Sequence, residues 1–176
     1  ETDKARDVKS RITCWANWFR DNQEDSGKFS EAIQTNEKID LALCLSYDAT
    51  EDETYLIAVR KNLDWIIGNR IRPNGGLIWT PANTTDYFEC HQLWFILACR
   101  LLANRNPGID YTNDMIKVWQ FLTENNWANI DWYIHNKVNH GSFFAYRNMN
   151  SDKQIQIGSF KGSYEIGAAL WSLSAN

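Results

Sequence analysis

The side chains of this 176-residue chain that could move a proton or hold a charged ligand gather where its most apolar segments begin. The clearest case is Asn74 to Leu102, NGGLIWTPANTTDYFECHQLWFILACRLL. Asp86, Glu89, His91 and Gln92 precede Leu93-Trp94-Phe95-Ile96-Leu97, after which little polar face remains. A helix apolar nearly all round is buried among other elements, so its chemistry is confined to its entrance. Lys161, Tyr164 and Glu165 stand in the same relation to IGAALWSL, and Glu31, Gln34, Asn36 and Asp40 to Leu41-Ala42-Leu43-Cys44-Leu45.

Two reactions fit these groups. Glycoside hydrolysis needs two carboxyl groups, one acid and one base or nucleophile. Glu89 and Glu165 are that pair, with Asp86 or Asp40 as substitutes. Elimination next to a uronate carboxylate needs a base, a proton donor and a group that neutralises the carboxylate. His91 and Tyr164 suit the first two roles; Gln92, Arg147 or Lys161 suits the third. The chain holds nine Trp. Aromatic rings either fill a core or offer stacking platforms, and Trp79, beside the glycine pair, is the candidate platform. A purely structural account also exists. Acids in a first helical turn are favoured by the helix dipole, and His91 could be a hydrogen-bonded packing residue.

Composition narrows the classes. A net charge of −4 lacks the basic footprint of a nucleic-acid binder. His135 and His140 match no metal spacing, and Cys14, Cys44, Cys90 and Cys99 form no CxxC pair. No metal or cofactor is therefore expected. Cys14, Cys44 and Cys99 lie in apolar periodic segments and are expected to be buried. No apolar run reaches membrane length, and the charged opening ETDKARDVKS has no signal-peptide pattern.

The elements that must position these groups are helices. Val8, Ile12, Trp15 and Phe19 give an amphipathic helix over 4–22. A more apolar helix through Ile39 to Leu45 follows, ending near Tyr47-Asp48. Thr50 with Glu53 forms a capping-box pattern for a third helix through Tyr55, Val59, Leu63 and Ile66. The apolar helix from about Phe88 is fourth. A fifth starts near Asp110 or Thr112, and a sixth spans 163–174. Ser142 to Arg147 and Lys153 to Gly158 suit a small β-hairpin. Gly27-Lys28-Phe29, Gly75-Gly76-Leu77 and Gly158-Ser159-Phe160 mark a loose repeat, each ahead of an apolar helix. The fold class expected is all-α: about three stacked αα-hairpins in a single domain over 1–176, each with an outer and an inner helix.

This alternation, with GGLIWTPANTTDYFECHQLWF and GSFKGSYEIGAALWSL, resembles the α/α-toroid, or six-hairpin, carbohydrate-active enzymes. The resemblance covers most of the chain and is architectural. It implies a cleft at the inner-helix N-termini, an oligo- or polysaccharide substrate, and either lyase or hydrolase chemistry. Neither nucleic acid nor membrane is an expected partner. A non-catalytic helical scaffold is the alternative. Three hairpins are about half of such a ring, so this chain is expected to be part of a larger toroid, to form a homo-oligomer or to need a partner domain. Lys28, Arg70, Arg72, Lys137, Arg147, Lys153 and Lys161 lie on the long-loop side, which suits an anionic sugar.

Overall fold

The computed structural model describes residues 2–82, 86–121, 146–148 and 154–155. In chain order these form helices α1 (Asp3–Asp21), α2 (Ile33–Thr50) and α3 (Glu53–Asn69), strand β1 (Asp86–Phe88), helices α4 (Glu89–Arg105) and α5 (Thr112–Phe121), and strands β2 (Tyr146–Asn148) and β3 (Gln154–Ile155). The expected all-α class of stacked hairpins is observed. The sixth helix, over 163–174, lies outside the described residues.

α2 and α4 are the inner pair and run parallel. His91 in the first turn of α4 meets Glu37 in the second turn of α2, and Arg105 at the end of α4 bonds Asp48 near the end of α2. α1, α3 and α5 make the outer layer. Tyr55 in α3 donates its hydroxyl to Asn17 of α1 at 2.8 Å, and Tyr111, just before α5, donates to Asp64 of α3 at 2.7 Å. Between the layers, Leu43, Leu63, Phe95, Leu97 and Leu102 are fully enclosed. Each such side chain contributes roughly 1.5–3 kcal/mol of transfer free energy.

The repeat seen loosely in the sequence is close in the backbone. Gly27 donates to the Glu24 carbonyl and Glu24 to the Lys28 carbonyl; Gly75 donates to Arg72 and Arg72 to Gly76. Every partner shifts by the same 48 residues. Both glycines have positive φ, 97° and 89°. A Cβ on Gly27 would lie 2.4 Å from the Lys61 carbonyl oxygen of α3, and one on Gly75 would lie 2.4 Å from that of Lys117 in α5. Only glycine combines that backbone with so close an approach. Each loop is thus pinned to the next outer helix. From the inner helices onward the spacing becomes 56: Ile33 and Glu89 start them, and Lys61 and Lys117 receive the glycines. Eight additional residues therefore enter between Leu77 and Glu89.

Some expectations need correction. Thr50 does not cap α3. α2 continues to Thr50, whose hydroxyl donates to the Ser46 carbonyl, and stops at Glu51 in the left-handed conformation, φ 63°. Asp52 caps α3, accepting from the Thr54 backbone N–H at 3.0 Å. Cys44 and Cys99 are buried but Cys14 is exposed. Val8 and Trp15, expected to face the core, are also exposed, because α1 stands at the edge of the array. The small β-hairpin is present: Tyr146 pairs with Ile155 and Arg147 with Gln154. β1, where a loop and the start of a helix are expected, adds a third antiparallel strand beside β2.

Candidate functional site at the inner-helix N-termini

Both inner helices begin with the same device. The Asn36 side-chain oxygen of α2 accepts from the Phe29 backbone N–H at 2.8 Å, and its amide donates to the Ser30 and Ala32 carbonyls. In α4 the Gln92 oxygen accepts from Leu77 N–H at 2.9 Å, and its amide donates to the Leu77 carbonyl at 3.0 Å. Asn36 and Gln92 are 56 residues apart and wholly buried. Each fixes the glycine loop over its helix entrance. Gln92, expected to bind a substrate carboxylate, is thus engaged at both ends of its amide by the loop.

Trp79 and Asp86 both lie in the longer stretch between Leu77 and Glu89. Trp79 is half-buried against the core, and its carbonyl accepts from Ile33 N–H at 3.1 Å, tying this loop to the start of α2. Asp86 opens β1 opposite Asn148, and Arg147 sits opposite the adjacent Tyr87. The sheet therefore brings the backbones of Asp86 and Arg147 together immediately before α4, a juxtaposition across some sixty residues of sequence that periodicity does not reveal. Glu89 is the first residue of α4. Lys161, Tyr164 and Glu165 lie outside the described residues.

His91 is enclosed between α4 and α2. Its Nδ1 lies 2.9 Å from Glu37 Oε2. One turn further along α2, Asp40 accepts from the Asn62 side-chain amide of α3 at 2.7 Å. Glu37, Asp40 and Asn62 have no exposed surface, and His91 retains only 4%. Glu37 Oε1, Asp40 Oδ1 and Asn62 Oδ1 receive no hydrogen bond. Burial drives the Glu37 carboxyl up to about 7, with the His91 interaction pulling the other way. Burial also raises Asp40 well above the carboxylate range; Asn62 opposes this and the nearby Glu37 adds to it. Glu37 is not among the residues expected at this entrance, although Asn36 and Asp40 beside it are. A carboxyl three residues before another, on a helix otherwise apolar at that depth, was the available signal.

Arg70 is buried at the rim, with its guanidinium 4.4 Å from the Trp65 ring, and donates to the Glu31 carbonyl and carboxylate at 3.0 and 3.1 Å. Lys28 pairs with Glu31 and Glu24. Hydrogen bonding from Lys28, ahead of that from Arg70, holds Glu31 below its ordinary range. Two of the cations expected to favour an anionic sugar are therefore offset by acids beside them. Two grooves on the flank of α1 and α2 reach neither Glu37 nor His91. Among the described residues, no group of three or more His, Cys, Asp or Glu could hold a metal ion, and no helix is long and apolar enough to cross a membrane.

A carboxylate bonded to one imidazole nitrogen fixes the ring and its tautomer, the usual arrangement for a histidine that transfers protons through its other nitrogen. Comparison with protein-family models, curated proteins and solved structures returned no match.

Proposed function

We propose that this chain is part of an α/α toroid that processes uronate-containing polysaccharides by elimination at the inner-helix N-termini. The observation that supports it is the 2.9 Å Glu37–His91 hydrogen bond at the entrances of two parallel inner helices. His91 takes the proton from C5 of the uronate, next to its carboxylate. The electron pair forms the C4–C5 double bond as the C4–O bond breaks, and Tyr164 gives a proton to the departing oxygen. Arg147 or Lys161 neutralises the carboxylate, and Trp79 offers a ring face to the sugar. Glu37 positions the imidazole. Hydrolysis through Glu89 and Glu165 is the other chemistry these entrances hold.

The burial of Glu37 and His91 favours a second reading, a helical scaffold whose polar pair fixes the register of α2 against α4. A panel of neutral and uronate polysaccharides separates the three. Elimination yields an ultraviolet-absorbing unsaturated uronate, lost by about 10²–10⁴-fold in His91→Ala and Tyr164→Phe and retained in Glu165→Gln. Reducing ends without absorbance, lost in Glu89→Gln or Glu165→Gln, establish hydrolysis instead. No product from any polymer, with the whole toroid assembled, supports the scaffold.

A further inference from the structure

Asp40 lies one helical turn beyond Glu37 on α2, and both carboxyls are enclosed with Asn62 of α3 and His91 of α4. Residues three apart on a helix project from the same face. One oxygen of each carboxyl is engaged: Glu37 Oε2 with His91 Nδ1 at 2.9 Å, and Asp40 Oδ2 with the Asn62 amide at 2.7 Å. The other two, Glu37 Oε1 and Asp40 Oδ1, are buried and receive no hydrogen bond.

Charge balance sets the protonation of this cluster. The groups that act on the two carboxyls are His91 and Cys99 of α4, Lys38 and Cys44 of α2, and Asn62 of α3. Burial raises both thiols, so they stay neutral. Lys38 is exposed, and Asn62 carries no charge. Among the described residues the His91 imidazole is therefore the buried cation available, and it offsets one carboxylate. A second carboxylate would be a buried charge without a partner, which costs more than keeping a proton. Glu37 holds the imidazole, so Asp40, whose contact is a neutral amide, keeps the proton. Its Oδ2 accepts from Asn62, which leaves the proton on Oδ1. A protonated carboxyl is a donor as well as an acceptor. One proton thus serves both oxygens that receive no other hydrogen bond.

We propose that Asp40 is a positioning residue: as a neutral acid it donates to Glu37 Oε1, so that Glu37 carries the single negative charge that holds His91. The chain Asn62–Asp40–Glu37–His91 then crosses from α3 through α2 to α4. A carboxylate supported by a second donor is stabilised in its charged form, and the imidazolium beside it is stabilised in turn. The imidazole is therefore more basic than Glu37 alone would make it. The value of this to catalysis rests on the reading of His91 as the base that takes the C5 proton; the protonation of Asp40 does not.

Nitrogen NMR of the histidine rings in the full chain, followed across neutral pH, tests it, with the His91 signals identified by their loss in His91→Gln. Asp40→Ala removes the donor and should lower the His91 midpoint by at least about one pH unit, a tenfold loss of proton affinity. Asp40→Asn replaces the O–H with an N–H and should keep the midpoint within about 0.3 pH unit. An equal fall in both variants means that Asp40 carries a charge, and no fall in either means that it only packs; each overturns the proposal. If Asp40→Ala loses its helical circular dichroism, infrared spectra give the reading. A protonated-carboxyl band is expected in the wild-type chain at neutral pH and should be lost in Asp40→Asn; a band that is missing from the first or kept in the second overturns the proposal. These readouts need no turnover. Where elimination is measured, the acidic limb of its pH profile should move down with the midpoint in Asp40→Ala. A limb that stays while the midpoint moves overturns His91 as the base and upholds the protonation of Asp40.

Discussion

The two inner helices share a backbone plan and differ in what they bury. α2 and α4 each begin under a glycine loop held by a buried amide, Asn36 in one and Gln92 in the other. The loop ahead of α2 turns straight into its helix. The loop ahead of α4 carries eight additional residues, and a strand immediately before the helix. At the positions where α4 has Leu93 and Ile96, α2 has Glu37 and Asp40. The repeat thus gives a common backbone, and departures from it place titratable groups: carboxyl groups inside one helix, and a longer loop with a histidine entrance on the other. Loops and entrances tolerate such change because the pinned glycines and amides hold the helices without them.

The largest effect that would break this equivalence is at the glycines. Gly27→Ala and Gly75→Ala place a Cβ 2.4 Å from a backbone oxygen on a left-handed backbone. Each should destabilise by at least about 3 kcal/mol. Gly68→Ala, in α3 with nothing within 4 Å of the new methyl, should stabilise by about 0.4–1 kcal/mol. Urea midpoints measure all three; a mild Gly75→Ala beside a severe Gly27→Ala would show that the two loops are not equivalent.

The carboxyl groups that distinguish α2 give a pH effect. Glu37 titrates at about 7 in the fold, above its unfolded value, so folding favours its protonated form. Its contribution is fully present below the unfolded pKa and is lost as pH rises through 7. That loss is on the order of 3 kcal/mol. Glu37→Gln should remove it, so the stability of the wild-type chain relative to the variant should fall between pH 4.5 and pH 8. Parallel pH profiles from urea unfolding would refute the buried-carboxyl account.

The smallest loss of stability sharpens the comparison at the amides. Gln92→Ala leaves the Leu77 N–H and carbonyl without these two partners and should destabilise by about 1–3 kcal/mol. Asn36→Ala should fall in the same range. Their ratio, read from thermal unfolding of both variants, reports whether the longer loop relies more on its clamp than the shorter one.

Much of this was written in the residue order. Apolar periodicity marked α1 to α5, because a helix that buries one stripe and a helix that buries every face leave different patterns. Gly27 and the Gly75-Gly76 pair mark the two loops, since the positive φ of Gly27 and Gly75 disfavours other residues. The entrances were found for the same local reason: Asp86, Glu89, His91 and Gln92 interrupt an apolar run. What those entrance residues touch depended on contacts between distant segments. Glu37 and His91 meet only because α2 and α4 lie parallel, and Gln92 turns to Leu77 rather than outward only because the loop folds back over it. Asp86 and Arg147 become neighbours through a strand pairing with no local signature. Nor could periodicity separate Trp15 from Leu63. Both sit on the apolar stripe of an outer helix, and only the assembled array decides that one faces the core and the other lies at its open edge.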